Sequence, residues 1–449
     1  IYIWDIKKNG DNMNFKVRTS GFNALKALSE DNGYDMDITG KQGLPFYRHI
    51  FKRRLGFFTG ALIFIFALYI MSSFVWFIEV KGNKKTLIGK FYGDMNGKIT
   101  IRSKEELDSI LKQLENAEYK VVDVKKGERI KKAPTPFTTS KLQQEAAKTL
   151  NFSTQKTMRI AQQLYEGLEI GDEGTTGLIT YIRTDSVRVA SEAQEEGRSV
   201  ITQMFGKEYV PAKPRMYKTK AARAQEAHEA IRPTIVTRSP ETVKPFLTRD
   251  QYRLYQLVWN RFVASQMKSA VFDAMTINIE GGEFLFRATG SKIKFPGFLA
   301  LYQEDEDEAK EEKKTLLPEL KEETQLVQED VKTEQHFTQP PARFTEAMLV
   351  KFLEEKGIGR PSTYATIIET IRKRAYVVMD NKRFTPTELG VVVDKLLKEN
   401  FPRVVDPNFT AKMEEKLDKV EEGEVEWVSV VRDFYEPFSV ELKAAEKGS

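Results

Sequence analysis

Gly177-Leu178-Ile179-Thr180-Tyr181-Ile182-Arg183-Thr184-Asp185-Ser186 reads as a short strand running into a helix start, and the rest of the chain is organised around it. Side chains two apart on a strand share a face, so Tyr181 and Arg183 can converge on one phosphate. A phenol titrates near ~10 when unperturbed, so attack at neutral pH needs a cation or base beside it. Arg183 supplies the cation and can clamp phosphate oxygens with its fork of donors, and Asp185 could orient it. That pairs a tyrosine nucleophile with a charge clamp. A core tyrosine on an ordinary strand, next to an exposed arginine, explains a bare Tyr-x-Arg as well, so the surrounding sequence has to decide. Downstream, Ser191-x-x-Gln194 reads as a capping box and Gly206 as the stop of its helix.

Outward from this segment, residues 140–268 read as mainly helical. Before them, Phe91 to Val124 alternates polar and apolar residues around a helix-like stretch, Lys104–Glu118, and Ala133-Pro134-Thr135-Pro136 is a linker. After them, Met275 to Tyr302 reads as strands with turns at Gly281-Gly282 and Pro296-Gly297, followed by a mostly acidic run, 303–333, expected as an exposed loop. From Phe344 the chain is helical again, with a hairpin at Asp380-Asn381. The expected division is an α+β region (1–54), a transmembrane helix (55–78), a strand-rich domain in two parts (87–139 and 269–343), an inserted helical domain (140–268) and a C-terminal helical domain (344–449). The fold class is multidomain α+β.

The chain has 449 residues, enough for several domains, and carries 70 Lys+Arg against 65 Asp+Glu, a net charge of +5. That excess only hints at a polyanionic partner. With no cysteine, disulfides, Cys-based zinc sites and thiol catalysis are excluded. The three histidines, His49, His228 and His336, are far apart in sequence, which argues against a histidine-rich metal cage.

The first 85 or so residues have a different character. Leu55 to Ile78 is 24 residues without a charge, long enough to span a bilayer, with Phe74, Trp76 and Phe77 near one end as an interfacial belt would be. A buried core helix is the alternative. Lys52-Arg53-Arg54 before the span and Lys81, Lys84 and Lys85 after it give a mixed orientation signal. Asp35-Met36-Asp37-Ile38-Thr39-Gly40 has the outline of an acidic magnesium motif but reads as a surface turn. Ile3-Trp4-Asp5-Ile6, Lys41-Gln42-Gly43-Leu44-Pro45-Phe46 and Ser72-Ser73-Phe74-Val75-Trp76-Phe77-Ile78-Glu79-Val80 resemble the stage IV sporulation proteins of the YqfD type. The resemblance covers about residues 1–86 and implies a small α+β region, one membrane span and no catalytic residues.

Two further stretches could meet a phosphate. Gln225, His228, Glu229 and Arg232 would share one helix face, where His228 could hydrogen-bond phosphate or be purely structural. Gly357-Ile358-Gly359-Arg360-Pro361-Ser362-Thr363 places Pro361 at a helix start behind a glycine-freed loop, so Arg360, Ser362, Thr363 and free N–H groups would face one anion. A plain helix start also explains these residues. The helix, hairpin and helix that follow resemble a winged-helix outline.

The long motifs decide. Phe137-Thr138-Thr139-Ser140-Lys141-Leu142-Gln143-Gln144-Glu145-Ala146, Ala224-Gln225-Glu226-Ala227-His228-Glu229-Ala230-Ile231-Arg232-Pro233, Arg261-Phe262-Val263-Ala264-Ser265-Gln266-Met267, Phe286-Arg287-Ala288-Thr289-Gly290 and Gly357-Ile358-Gly359-Arg360-Pro361-Ser362-Thr363-Tyr364-Ala365, with the Tyr181 segment, resemble bacterial type IA DNA topoisomerase I from about Leu87 onward. The resemblance implies that Tyr181 forms a 5′-phosphotyrosine with single-stranded DNA, that Arg183 stabilises the reacting phosphate, and that Asp185, His228, Arg232, Arg360, Ser362 and Thr363 contact DNA. It implies Mg2+, no ATP and a cytoplasmic location, or a membrane location if the N-terminal span is real. Lys141, Met348 and Ala375 depart from the family, which usually has small hydroxyl residues or, at the last, glycine. The family's Toprim domain, with its acidic magnesium site, is not in this sequence; the YqfD-like segment stands in its place. The Cys-rich zinc modules are absent too. The expectation is a topoisomerase core joined near Thr86/Leu87 to a sporulation-protein segment, inactive alone. The rival is a non-enzymatic sporulation membrane protein with a nucleic-acid-binding or structural soluble region. A tyrosine recombinase or relaxase would lack the motifs around His228 and Arg360.

Overall fold

The computed structural model describes residues 3–9, 12–17, 72–82, 85–217, 228–302, 317–337 and 340–448. The chain divides between Ser73 and Phe74 into two compact units. In the first, β1 (Ile3–Asn9) and β2 (Asn12–Val17) pair antiparallel, Ile3 opposite Val17. The rest of the α+β region expected over 1–54, with the acidic turn at Asp35 to Gly40, lies outside the described residues.

The second unit is built on a ring of strands. β3 (Ser72–Gly82) and β4 (Lys85–Asp94) form a hairpin, the short β5 (Gly97–Lys98) adds to β4, and helix α1 (Lys104–Leu114) leads to β6 (Tyr119–Lys131). The membrane helix expected over 55–78 is corrected at its end. Ser72–Ile78 is strand, because Phe74-Val75-Trp76-Phe77-Ile78 is rich in aromatic and β-branched residues that favour a pleated surface. Residues 55–71 lie outside the described residues, among which no helix is long and apolar enough to cross a membrane.

The chain then leaves the ring for a helical domain: α2 (Thr139–Glu145), α3 (Thr154–Glu166), a small ribbon of β7 (Leu168–Glu169) and β8 (Thr175–Thr176), α4 (Ser191–Phe205) and α5 (Arg249–Gln266). α5 carries Tyr255, Trp259 and Phe262 into the core, and the Trp259 indole donates to the Val236 carbonyl at 2.8 Å. The capping box expected at Ser191 does not form. Ala190 is the N-cap, without a side-chain bond, and the Gln194 amide instead donates to the Arg215 carbonyl at 3.1 Å. A full capping box forms at α5, from Thr248 and Gln251. Gly206 does stop α4.

β9 (Ala270–Gly281), β10 (Phe284–Phe295) and β11 (Gln325–Phe337) return the chain to the ring. The order β10-β9-β6-β11-β3-β4 closes because β4 also pairs with β10, Phe286 opposite Phe91. Alternate residues point inward: Ile78 and Val80, Met275, Ile277 and Ile279, and Phe284, Phe286 and Ala288 share one core with Leu107 and Leu114 of α1. The acidic run expected as a loop over 303–333 is therefore partly a strand. Residues 303–316 lie outside the described residues, but β11 completes the ring. Its charges sit on the outer face, where Glu329 meets Lys81 at 3.1 Å and Lys332 meets Glu79 at 3.2 Å.

The C-terminal part is α6 (Glu346–Lys356), α7 (Tyr364–Lys373), the hairpin β12 (Val377–Asp380) and β13 (Arg383–Pro386), then α8 (Glu388–Asn400), α9 (Pro407–Glu421) and α10 (Trp427–Gly448). The hairpin tip is Asn381 and Lys382, both at positive φ, as a tight two-residue turn requires. Val350, Leu353, Tyr364, Ile368 and Phe384 form its small core. Helices α2 and α3 meet α6 and α7 across a polar seam. The Ser140 hydroxyl donates to Glu354. Thr154 donates to Glu346 from its backbone at 2.7 Å and its hydroxyl at 3.1 Å. Gln155 reaches Glu369 at 2.6 Å.

Candidate active site

The Tyr181 segment is extended but not a regular strand; its one bridge joins Ile179 to Pro233. The alternation survives: Ile182 and Thr184 are buried, while Tyr181 and Arg183 are exposed on either side of Ile182. Two neighbours fix this path. On one side the Leu178 N–H donates to the Leu164 carbonyl at 2.7 Å. A Cβ at Gly177 would sit 2.7 Å from the Tyr165 carbonyl oxygen, so only glycine permits this approach of strand to helix end. On the other side runs the segment from His228 to Thr234. Thr180 N–H donates to the Arg232 carbonyl at 2.9 Å, Ala230 N–H to Arg188, and Ile231 N–H to Phe137. The helix face expected for Gln225, His228, Glu229 and Arg232 is therefore corrected. Gln225 lies outside the described residues, and residues 228–230 carry no helix. The Ala230 and Ile231 backbone donors are spent on neighbouring segments, and Pro233 disfavours a helical residue before it.

This threading brings His228 against the tyrosine, ring centroids 5.1 Å apart. Tyr165, from the last turn of α3, also packs on it edge-on, at 5.6 Å. Tyr181 is 37% exposed, so its ring is flanked yet reachable. Arg183 forms no hydrogen bond or ion pair among the described residues, so its exposed guanidinium, two positions from Tyr181, is uncommitted there. Its backbone is held from beneath. The buried Thr139 hydroxyl donates to the Ile182 carbonyl at 2.7 Å, with the Thr184 carbonyl at 3.0 Å, and accepts from Thr184 N–H at 2.9 Å. Thr138 is the N-cap of α2.

The other expected residues divide. Arg232 is committed: its Nε donates to Glu229 at 2.7 Å and its NH1 to the Pro233 carbonyl at 2.9 Å. Asp185 is not bonded to Arg183 among the described residues. Burial raises its carboxyl above the usual range, with Arg360 and His228 opposing, so the Arg360 loop does converge on the tyrosine segment. Arg360 itself is engaged by two acids of α9, Asp418 at 2.6 Å and Glu414 at 3.2 Å. Gly357 ends α6 in the left-handed conformation, φ 68°. Pro361 stands in the turn before α7 rather than inside it, and the Thr363 hydroxyl accepts from the Arg360 N–H at 2.8 Å. Ser362 is exposed. Lys141 and Met348 are exposed as well, while Ala375 adopts φ 53°.

No group of three or more His, Asp or Glu side chains among the described residues could hold a metal ion. Magnesium does not fit what is present: Asp185 is half-buried and faces two basic groups, Arg360 and His228.

The segment thus presents an exposed phenol and, two positions on, an arginine without a partner among the described residues. A family model for DNA topoisomerase matches residues 71–432. The chain belongs to the DNA topoisomerase family. A solved structure of full-length topoisomerase I from Thermotoga maritima resembles this topoisomerase chain with a TM-score of 0.68 and 37% identity, over 83% of this chain and 59% of that one. The topoisomerase match accounts for the mixed α/β architecture and does not favour the non-enzymatic alternative. Residues 1–90 match a second model, putative stage IV sporulation protein YqfD, so the two matches overlap on the β3–β4 hairpin. The join expected at Thr86/Leu87 falls inside β4.

Two residues of this topoisomerase site escaped the sequence. Thr139 carried no local signal because the carbonyl it donates to lies 43 positions away, and Tyr165 because its partner is sixteen positions away in sequence, across a turn.

Proposed function

We propose that this chain is the strand-cleaving core of a type IA topoisomerase, acting on single-stranded or negatively supercoiled DNA without ATP. The Tyr181 phenolic oxygen attacks a backbone phosphorus. The new P–O bond forms as the P–O3′ bond breaks, the phenol gives up its proton and the 3′-oxygen takes one. Phosphodiester energy is kept in the tyrosyl link, so reversal reseals the strand. Arg183 balances charge on the phosphate, and His228 and Arg360 border it, with Asp185, Ser362 and Thr363 lining the approach. Arg232 serves from behind, by bracing the His228 segment through Glu229. The observation that carries this is the exposed Tyr181 ring, two positions from an arginine with no partner among the described residues.

The family works with Mg2+, and the groups described here do not assemble a site for it. This polypeptide is therefore expected not to relax supercoiled DNA by itself and to require the family's Toprim domain, added in trans or grafted before β3. With that domain supplied and single-stranded DNA present, peptide mass mapping should find the adduct on Tyr181. Arg183→Ala should slow its formation roughly a hundredfold or more, the usual effect of losing one such charge donor. Normal cleavage by Tyr181→Phe would show the nucleophile to be another residue.

A further inference from the structure

Tyr165 has no role in the scheme above, yet its ring packs directly on that of Tyr181. It leaves the last turn of α3, is 38% exposed, and meets the Tyr181 ring edge-on at 5.6 Å and 69°. Its hydroxyl makes no hydrogen bond among the described residues. Its backbone is locked to the nucleophile's own segment through the Leu164–Leu178 hydrogen bond and the close approach of Gly177. The Tyr181 ring thus packs with both Tyr165 and His228. A half-exposed tyrosine is often an ordinary surface residue. This one is held against the ring whose oxygen would attack phosphorus, with Arg183 two positions further along that segment. With the two rings 5.6 Å apart, a base flanking a phosphate at Tyr181 would lie within reach of the Tyr165 ring. Every nucleobase has a π-face, so an aromatic platform suits a strand of any sequence.

We propose that Tyr165 is a nucleobase-stacking residue, receiving the base of a nucleotide that flanks the phosphate attacked by Tyr181. The proposal rests on the DNA-binding reading given above. An edge-on tyrosine also limits the rotation of Tyr181, so a stacked base and the nucleophile are aligned by one contact.

The test uses the full chain and a fluorescent thymidine oligonucleotide, for which the binding register is immaterial. Tyr165→Phe should bind as the wild type does, whereas Tyr165→Leu should bind about tenfold more weakly, the size of one lost base–aromatic stack. Both variants should melt with the wild type. The same oligonucleotide carrying 5-iododeoxyuridine should, on irradiation, cross-link to the peptide that contains Tyr165. Equal affinity of the leucine variant, or cross-links that map elsewhere and spare this peptide, overturns the stacking role. A wild-type chain that does not bind the oligonucleotide in low salt instead overturns the DNA-binding reading, and this inference with it.

Discussion

β3 and the Tyr181 segment are both extended stretches seated among buried neighbours, and they make opposite demands on sequence. β3 lies where two family matches overlap, yet it closes the ring. Ile78 and Val80 are buried in the common core, and Glu79 and Lys81 form their ion pairs outside. The ring requires alternation and a little volume, and a strand shared with a sporulation protein meets both requirements. Exposed pairs of this kind contribute little, so the two inward side chains do most of the anchoring. The Tyr181 segment cannot be exchanged in this way. Its apolar residues could vary, but a phenol, a guanidinium, the Gly177 approach and the Thr139 hydroxyl each answer to one geometry. Packing reads a pattern, whereas chemistry reads identity.

Truncation tests this contrast most severely. A chain starting at Phe74 should melt cooperatively, like the second unit of the intact protein. A chain starting at Lys85 lacks β3 and leaves the ring open between β4 and β11. Burying Ile78 and Val80 contributes roughly 1.5–3 kcal/mol each, a large share of a typical domain's ~5–15 kcal/mol. The shorter chain should therefore lose the barrel's cooperative transition in circular dichroism, and an unchanged melt would mean that β3 is dispensable.

Thr139→Val probes the other half of the comparison with an almost isosteric change. It removes a buried hydroxyl from the Ile182 and Thr184 carbonyls and from the Thr184 N–H, which should lower stability by roughly 2 kcal/mol in urea unfolding. Because those groups flank Arg183, adduct formation in the Toprim-complemented reaction should fall by more than binding does. Equal losses in both would make Thr139 a stabilising residue only.

The smallest expected effect is a gain. Ala375 sits at φ 53°, where a Cβ is strained and glycine is not. Ala375→Gly should raise stability by about 1 kcal/mol in thermal or urea unfolding while leaving DNA binding unchanged. No gain would mean that the turn after α7 relaxes around the alanine.

The same contrast explains what the sequence disclosed. The hairpin at Asp380-Asn381, the stop at Gly206 and the alternation that sets Tyr181 and Arg183 apart from the buried Ile182 all follow from local patterns. The strand nature of β11 was hidden because its outer residues are charged, and charge alone reads as a loop. The membrane helix expected to end at Ile78 failed there because an apolar aromatic run can be either helix or strand, and only the neighbouring β4 decides. At His228 the helical spacing of polar residues was outweighed by backbone hydrogen bonds to segments some fifty and ninety positions earlier. Arg360 looked like a free phosphate ligand because Glu414 and Asp418, its acids, lie on α9, far along the chain.

The seam between α2–α3 and α6–α7 has a mechanical consequence. Its described contacts are carboxylates on hydroxyls, amides and a backbone N–H: Ser140 with Glu354, Thr154 with Glu346, and Gln155 with Glu369. When such a surface parts, water takes over each bond at nearly equal energy, and no large apolar face is left wet. The seam is a re-closable fastening, one that can come undone and be remade without the penalty that opening an oily core would impose.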